Sequence, residues 1–467
     1  MKLFCIKVFL ITRIFYIIFI QLIFETHLVR KRDLSTEIIV TINQENMSKI
    51  EKLLLKILKS FISYDGLQFE FISKNGYISD HIFCFYPLFP YFSKSFIPFF
   101  KLFDFKNENT SFILSGIIFN NILSLLNSII LCNLINDLTG SKEKGKISVL
   151  LFLINPGTIF YMAYYSENLY FFLSLLLIKE LINDKYNLLY YVKLSIIIFC
   201  LLMTRSNGLI LLSFFIIPIF KILFDKINQK DNMFLTNNTL ENIKFFFCLI
   251  FNNLLFILLH VLLCFFGLII FYWMVNLRPK KIICNYINQL INFNYYRFTD
   301  YWNYCNNLNS PIKTIYNYLQ KSYWNVAFLS QYKLTNIDKI LYSIPMHKIG
   351  LYLIYKSLKE FNFKSLLNFN LYEFFYTEKS KKNIIEVTFI LGGLINFFVL
   401  FITVLFIAYI SINNRLYTSH PLLYYWLSDD VLKYFKGENK KGFVILLYFF
   451  SFSLLYFITN IGGYNGI

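Results

Sequence analysis

The chain has 467 residues, 57% of them hydrophobic and 20% aromatic against 15% charged, and a formal net charge of +18. That balance excludes disorder and an ordinary water-soluble domain. The positive excess does not signal nucleic acid, because Lys and Arg are scattered between apolar blocks, where they meet lipid headgroups. Part of it reflects a composition rich in Ile, Phe, Tyr, Asn and Lys throughout, as an AT-rich coding sequence produces.

Nearly charge-free blocks occupy residues 11–24, 112–135, 147–182, 188–203, 208–224, 245–275, 387–412 and 443–461. About 20 apolar residues carry a helix across a ~30 Å hydrocarbon core. The chain therefore reads as an all-α polytopic membrane protein, since the short alternating segments of a β-barrel are missing. Lys2 and Lys7 precede the first block, and no small-residue cleavage site comes after it, so this segment is expected to be an uncleaved signal anchor. Dividing 147–182 at its polar centre and admitting the weaker stretch 337–356, with His347 and Lys348, gives about ten spanning helices. No internal repeat or separate soluble domain is visible, so residues 1–467 form one membrane domain.

Positive charge sets the orientation. Lys142, Lys144 and Lys146, then Lys221, Lys226 and Lys230, then Lys379, Lys381 and Lys382 crowd three connections, which ten helices with a cytosolic N-terminus place in the cytosol. Residues 25–110 and 276–336 become large luminal loops. Arg30, Lys31 and Arg32 oppose this assignment, but loops beyond about 60 residues largely escape the rule. Two glycosylation sequons obey the same parity, Asn46 in the lumen and Asn237 in the cytosol. The eight cysteines contain no CxxC pair, which supports neither a zinc site nor a redox motif.

The most informative stretch is 63–90, SYDGLQFEFISKNGYISDHIFCFYPLFP. Asp65, Phe69 and Ile72 fall at helical spacing, predicting a membrane-surface helix with Asp65 beside its apolar face. On spacing alone Asp65 fits a helix cap and residues 77–90 an interfacial aromatic anchor. The run Tyr64-Asp65-Gly66, Phe69, Gly76-Tyr77, Asp80-His81 and Phe85-Tyr86-Pro87-Leu88-Phe89-Pro90 resembles the GPI mannosyltransferase 2 family. Tyr64 stands where that family usually has Trp, and Asp80 where Glu is frequent. Further blocks match in order: NPGTIFYMAYYSENLYFFLSL (155–175), TRSNGLI (204–210), YNYLQKSYWNVAFLSQYKL (316–334) and HPLLYYW (420–426), so the resemblance spans almost the whole chain.

The resemblance implies a GT-C glycosyltransferase architecture in the endoplasmic reticulum membrane. It also implies transfer of the second, α1,6-linked mannose of the GPI core from dolichol-phosphate-mannose on the luminal side. The donor is a substrate and no cofactor is expected; with no DxD pair in the first luminal loop, no metal is expected either. Implied partners are the GPI-precursor glycolipid, the lipid donor, the surrounding membrane lipid and a small accessory membrane subunit, but no nucleic acid.

Inverting transfer from a lipid phosphate needs a base for the acceptor hydroxyl and positive charge for the departing phosphate. Asp65 is placed as the base, its basicity raised by apolar surroundings, with Asp80 as the second acid. Arg205, at a luminal turn, is a candidate for phosphate binding, with Asn207 beside it a substrate-binding candidate, and His81 is a candidate to donate to the same phosphate or to orient Asp80; snorkelling to lipid and an interfacial histidine are the alternatives for Arg205 and His81. Glu167 is a candidate sugar ligand, or with Ser166 the start of a helix. Trp324 is a candidate for stacking on a sugar or an interfacial anchor. Asn155-Pro156-Gly157 reads as a helix break. Cys284 and Cys305 share one luminal loop, consistent with a disulfide in an oxidising compartment. A transferase of the same architecture with a different acceptor, and a non-catalytic lipid transporter, are the competing readings.

Overall fold

The computed structural model of the protein describes residues 1–25, 49–58, 61–62, 65–77, 81–101, 108–183, 186–229, 251–290, 314–362, 384–408 and 412–461. Asp80, Cys305, Asn46 and Asn237 lie outside the described residues, as does much of the two long loops.

The regular structure described is helical. The first span, α1 (Lys2–Glu25), is succeeded by α2 (Lys49–Leu58), α3 (Asp65–Asn75), a 3₁₀ turn at His81–Cys84, α4 (Leu88–Lys94) and α5 (Ile97–Lys101). Next come α6 (Glu108–Thr139), α7 (Lys142–Leu153), α8 (Glu167–Ile182), α9 (Leu188–Thr204), a 3₁₀ segment at Ser206–Phe215 and α10 (Ile216–Gln229). The helix α11 (Leu254–Tyr272) continues through a π-helical turn at Trp273–Leu277 into α12 (Arg278–Leu290). The chain ends with α13 (Ile315–Trp324), α14 (Ile337–Leu358), α15 (Ile384–Phe406), α16 (Asn413–Thr418), α17 (Pro421–Phe435) and α18 (Lys441–Ile461).

Local chemistry sets several of these boundaries. Ser141, Asn187 and Thr314 each accept a backbone N–H three residues on, as N-caps do. His420 caps α17 by accepting from the Leu422 N–H at 3.2 Å, with Pro421 at the first helical position, where its missing N–H costs nothing. The Asn-Pro-Gly run ends α7, and a buried, irregular connection carries the chain to α8.

Five described helices are long and apolar enough to cross a membrane: Lys2–Ile23, Thr110–Thr139, Leu254–Cys284, Ile384–Phe406 and Lys441–Ile458. The expected count of ten is therefore not reproduced. The halves of block 147–182 are helices of 12 and 16 residues, shorter than any of these five. The weak stretch 337–356 is one continuous helix, α14, with Pro345 inside it.

Side-chain pairs define two ends of the bundle. At one, here the lysine end, Lys144 meets Asp429 at 2.8 Å and Lys356 meets Asp430 at 2.9 Å. At the other, the arginine end, Arg415 meets Asp65 and Glu167. Arg415 lies just before α17 and Asp429 in its second half, so this 15-residue helix, ~22 Å long, runs from the arginine end to the lysine end. Ser428, Asp429 and Asp430 hide it from a hydropathy search, which is why the sequence count misses it. The next helix, α18, returns: Lys441 lies over Tyr352 at the lysine end, and Tyr456 accepts from Asn414 at the arginine end. Gly442 makes the hairpin possible, because a Cβ there would stand 2.6 Å from the Asp430 carbonyl.

This geometry reverses the parity of the last segments. A glycosylation sequon on a linker after Ile467 should be modified in a glycosylating host, and one inserted at the 437–439 turn should not. Ten spans with a cytosolic N-terminus predict the opposite pattern, so gel-shift mapping of the two variants decides between them.

Candidate active site

The arginine end is assembled from four separate segments. Arg415 sits on α16, a short helix fixed on both flanks. Asn413 donates to the Ser343 carbonyl at 2.8 Å and Asn414 donates to the Tyr456 hydroxyl at 2.7 Å. Gly157 lets the α7–α8 connection approach this turn, since a Cβ would lie 2.9 Å from Thr418 Oγ1 and 3.2 Å from the Asn414 carbonyl.

Irregular backbone buried in a membrane bundle needs partners for its polar groups. Asparagines supply them here. Asn168 donates to the carbonyls of Asn120 and Tyr161 at 2.8 and 2.7 Å, and Asn120 donates to those of Phe160 and Ala163. Asn127 closes the set by donating to Asn168. This lattice fixes the residues immediately before Glu167.

Glu167, the first residue of α8, is 1% exposed. Its Oε1 accepts from Arg205 Nη1 at 2.5 Å, from Arg415 Nη2 at 2.5 Å and from Arg415 Nε at 2.7 Å. Its Oε2 is buried without a hydrogen-bond partner. The second Arg415 arm, Nη1, reaches Asp65 Oδ2 at 2.7 Å, and the guanidinium lies 4.5 Å from the Phe160 ring centroid and 5.1 Å from that of Tyr165. Burial works against the charge on Arg415, but Glu167 and Asp65 outweigh it and hold the guanidinium firmly protonated. Two acids and two arginines thus alternate as Asp65, Arg415, Glu167, Arg205.

This arrangement changes the setting expected for three residues. Asp65 begins α3 and faces Arg415 instead of bare apolar surface, while its side chain keeps 30% exposure. α3 does not lie on the bundle surface: Gly66, Leu67, Phe69, Glu70, Ile72 and Ser73 are all buried. Glu167 is directed at guanidiniums, and Ser166 makes no capping bond, so a simple capping pair does not describe it. Arg205, beyond the end of α9, spends one nitrogen on Glu167.

Other candidates border the same end. His81 Nε2 pairs with Gln68 Oε1 at 3.1 Å, one helical turn from Asp65, and its ring is 5.4 Å from that of Tyr323. Trp324 meets the Phe85 ring edge-on at 5.9 Å. Both side-chain polar atoms of Asn207 are buried without partners, next to Arg205. Cys284 is disulfide-bonded, while Cys5, Cys84, Cys132, Cys200 and Cys264 are in no disulfide. Its expected partner, Cys305, lies outside the described residues. Among the described residues, no three His, Cys, Asp or Glu side chains gather as metal ligands would.

Arg415 is the residue that sequence reasoning missed. It is an arginine in a short polar gap between apolar blocks, and the cost that singles out Arg205 applies equally to it.

The family model described as Mannosyltransferase (PIG-V) matches residues 2–460. The chain belongs to this mannosyltransferase family. A GPI mannosyltransferase 2 of Candida albicans is 24% identical over 420 residues, covering 86% of this chain and 86% of that protein. The GPI mannosyltransferase 2 of Drosophila melanogaster is 25% identical over 65% of each chain. The GPI alpha-1,6-mannosyltransferase 2 of Cricetulus griseus is 24% identical over 64% of this chain and 57% of its own. Among solved structures, an Archaeoglobus fulgidus oligosaccharyltransferase aligns with a TM-score of 0.41 and 12% identity, over 88% of this chain and 49% of that one. The ordered motifs are thus those of a mannosyltransferase, and its family membership agrees with the resemblance read from them.

The charge chain of this mannosyltransferase makes its stability testable. Deleting one partner of a buried pair commonly costs about 3–5 kcal/mol, because the other charge is left stranded. Glu167→Ala and Arg415→Ala should each lower the melting temperature of purified protein strongly. Their double variant should cost less than the sum, a coupling that thermal unfolding in detergent measures.

Glu70, buried on α3, has its carboxyl pushed up to about 7 from 4.5 by burial, with the charge of Lys74 opposing. The folded protein therefore keeps a proton that the unfolded chain releases, so stability falls as pH rises from about 4.5 to about 7. Above that window the ionised form costs about 3 kcal/mol. Glu70→Gln should match the unsubstituted protein near pH 4.5 and melt higher at pH 8.

Proposed function

We propose that this mannosyltransferase adds the second, α1,6-linked mannose to the GPI-anchor precursor, using dolichol-phosphate-mannose on the luminal face of the endoplasmic reticulum membrane. The observation that carries this reading is the partly exposed carboxylate of Asp65, held by Arg415 at the end of the bundle where Arg205 and Asn207 also lie. The names of the relatives in Candida, Drosophila and Cricetulus support the acceptor class and the linkage.

In this mechanism Asp65 accepts the proton of the acceptor hydroxyl as its oxygen attacks the anomeric carbon of the mannose. The bond from that carbon to the phosphate oxygen breaks with inversion, and the phosphate leaves with the electron pair. A phosphate leaving group requires positive charge and no proton. Arg205 supplies that charge, and Asn207 has unpartnered donors beside it. Arg415 orients the carboxylate of Asp65, and Glu167 holds both guanidiniums in register. His81 and Trp324 border the same opening, as a second phosphate donor and a stacking surface for the sugar. Asp80 is the alternative base, and Cys284–Cys305 the disulfide of the second luminal loop. No metal or cofactor has a part in this scheme, and a small accessory membrane subunit is the expected protein partner.

The test is rescue of cells lacking the second GPI mannosyltransferase, with lipid-linked intermediates analysed. Expression should clear the one-mannose intermediate. Its persistence despite inserted protein would overturn the acceptor assignment and favour a GT-C transferase with another acceptor. With purified enzyme, Asp65→Asn should lower turnover roughly 10²-fold or more while donor binding is kept. Near-normal transfer would remove Asp65 as the base, and a parallel loss in Asp80→Asn alone would move the role there.

A further inference from the structure

Arg205 leads directly into the 3₁₀ segment Ser206–Phe215, which is ten residues long. Runs of 3₁₀ helix beyond about four residues are uncommon because their hydrogen bonds are poorer. Inside a membrane bundle such a backbone needs partners from outside itself. Asn396, buried in the middle of α15, supplies them: its Nδ2 donates to the Ile210 carbonyl at 2.7 Å and to Ser213 Oγ at 3.2 Å.

The other side of that amide faces His420. Asn396 Oδ1 lies 2.8 Å from His420 Nε2, and His420 Nδ1 accepts the Leu422 N–H. With Nδ1 used as an acceptor, the ring is neutral and its proton is on Nε2, so the imidazole donates to Asn396. The ring also stacks on Phe214 of the same 3₁₀ segment at 5.9 Å and meets Phe397 edge-on at 5.2 Å. Through its backbone, His420 donates to the Tyr417 carbonyl at 3.1 Å, which ties it to the α16 turn that carries Arg415. Two glycines one turn before Asn396 let both sides approach α15. A Cβ on Gly392 would stand 3.1 Å from the Phe214 ring, and one on Gly393 3.1 Å from Leu422 Cδ1.

We infer that His420 and Asn396 are positioning residues for the transfer reaction, a bridge that sets where Arg205 stands relative to Arg415. The inference rests on the role proposed above for Arg205. Glu167 accepts from both guanidiniums, but long arginine side chains can reach one carboxylate from many backbone separations. The bridge removes that freedom, because it joins the backbone after Arg205 to the backbone after Arg415 through two buried side chains.

The test uses the purified full chain in nanodiscs with dolichol-phosphate-mannose and the GPI precursor. His420→Asn separates the two jobs of the ring: Asn caps a helix well but is too short to reach Asn396. It should lower kcat about 10- to 100-fold while KM for the donor stays within about twofold. Asn396→Leu, which breaks the bridge from its other side, should do the same, and the double variant should be no slower than either single one. Adding His420→Asn to Arg205→Lys should cost little beyond Arg205→Lys alone, since the bridge acts through that guanidinium; a merely structural role would multiply the two losses. Hydrogen exchange at residues 206–215 should quicken in both single variants. Exchange needs no mannose transfer, so it decides the bridge even if the proposed acceptor is wrong. Unchanged exchange in that segment, or losses that multiply, would overturn the inference.

Discussion

Glu167 is removed from water at the end of a membrane bundle, and an isolated carboxylate there would cost several kcal/mol or more. Two guanidiniums make its burial tolerable, and each comes from a distant part of the sequence: Arg205 is 38 residues away and Arg415 is 248. Satisfying one acid therefore brings the start of α8, the end of α9 and the α16 turn to a single point. Arg415 then has an arm left for Asp65, which draws α3 to the same place. The site exists because a buried charge has to be matched, and the segments that match it are those that carry the other polar candidates. Hydrophobic burial alone is non-directional and would not fix such a geometry.

The second constraint is on the backbone. Residues 154–166 leave the helical path deep in the bundle, where unpaired N–H and C=O groups are expensive. Asn120 and Asn168 donate to carbonyls of this connection, Asn127 donates to Asn168, and a bare Gly157 allows the α16 turn to pack against the connection. The Asn-Pro-Gly motif thus acts at one remove from chemistry. It ends α7, and the irregular connection beyond it delivers Glu167 at the height of Arg415. Replacing this connection with continuous helix would carry Glu167 past its partners.

Hydropathy locates the long spans because five of them satisfy length and composition together. It fails at α17, whose Asp429 and Asp430 look solvent-exposed in sequence yet are matched by Lys144 and Lys356 from other helices. The same limit explains the site. Asp65, Glu167 and Arg205 stand out individually as ionisable groups beside apolar runs, and the structure joins them. Their connector, Arg415, has no local signal that distinguishes it from a loop cation, since its function depends on two acids far away in sequence. His81 and Trp324 lie near this end among aromatic neighbours that spacing does not reveal.

The direction of the helices gives the arginine end a further bias. Asp65 and Glu167 both sit in the first turn of their helices, α3 and α8, where the macrodipole favours negative charge. The N-terminus of α17 lies beside the same turn, capped by the buried His420. Its C-terminal half is at the lysine end, where Lys433 and Lys356 face Asp429 and the negative dipole end. Two guanidiniums already balance two carboxylates at the arginine end, so the positive helix ends leave it with an excess. That excess disfavours a neutral, water-filled cleft and favours a place where negative charge builds up during reaction. On the proposed mechanism, that same field would stabilise the phosphate leaving as Asp65 takes the proton of the acceptor hydroxyl.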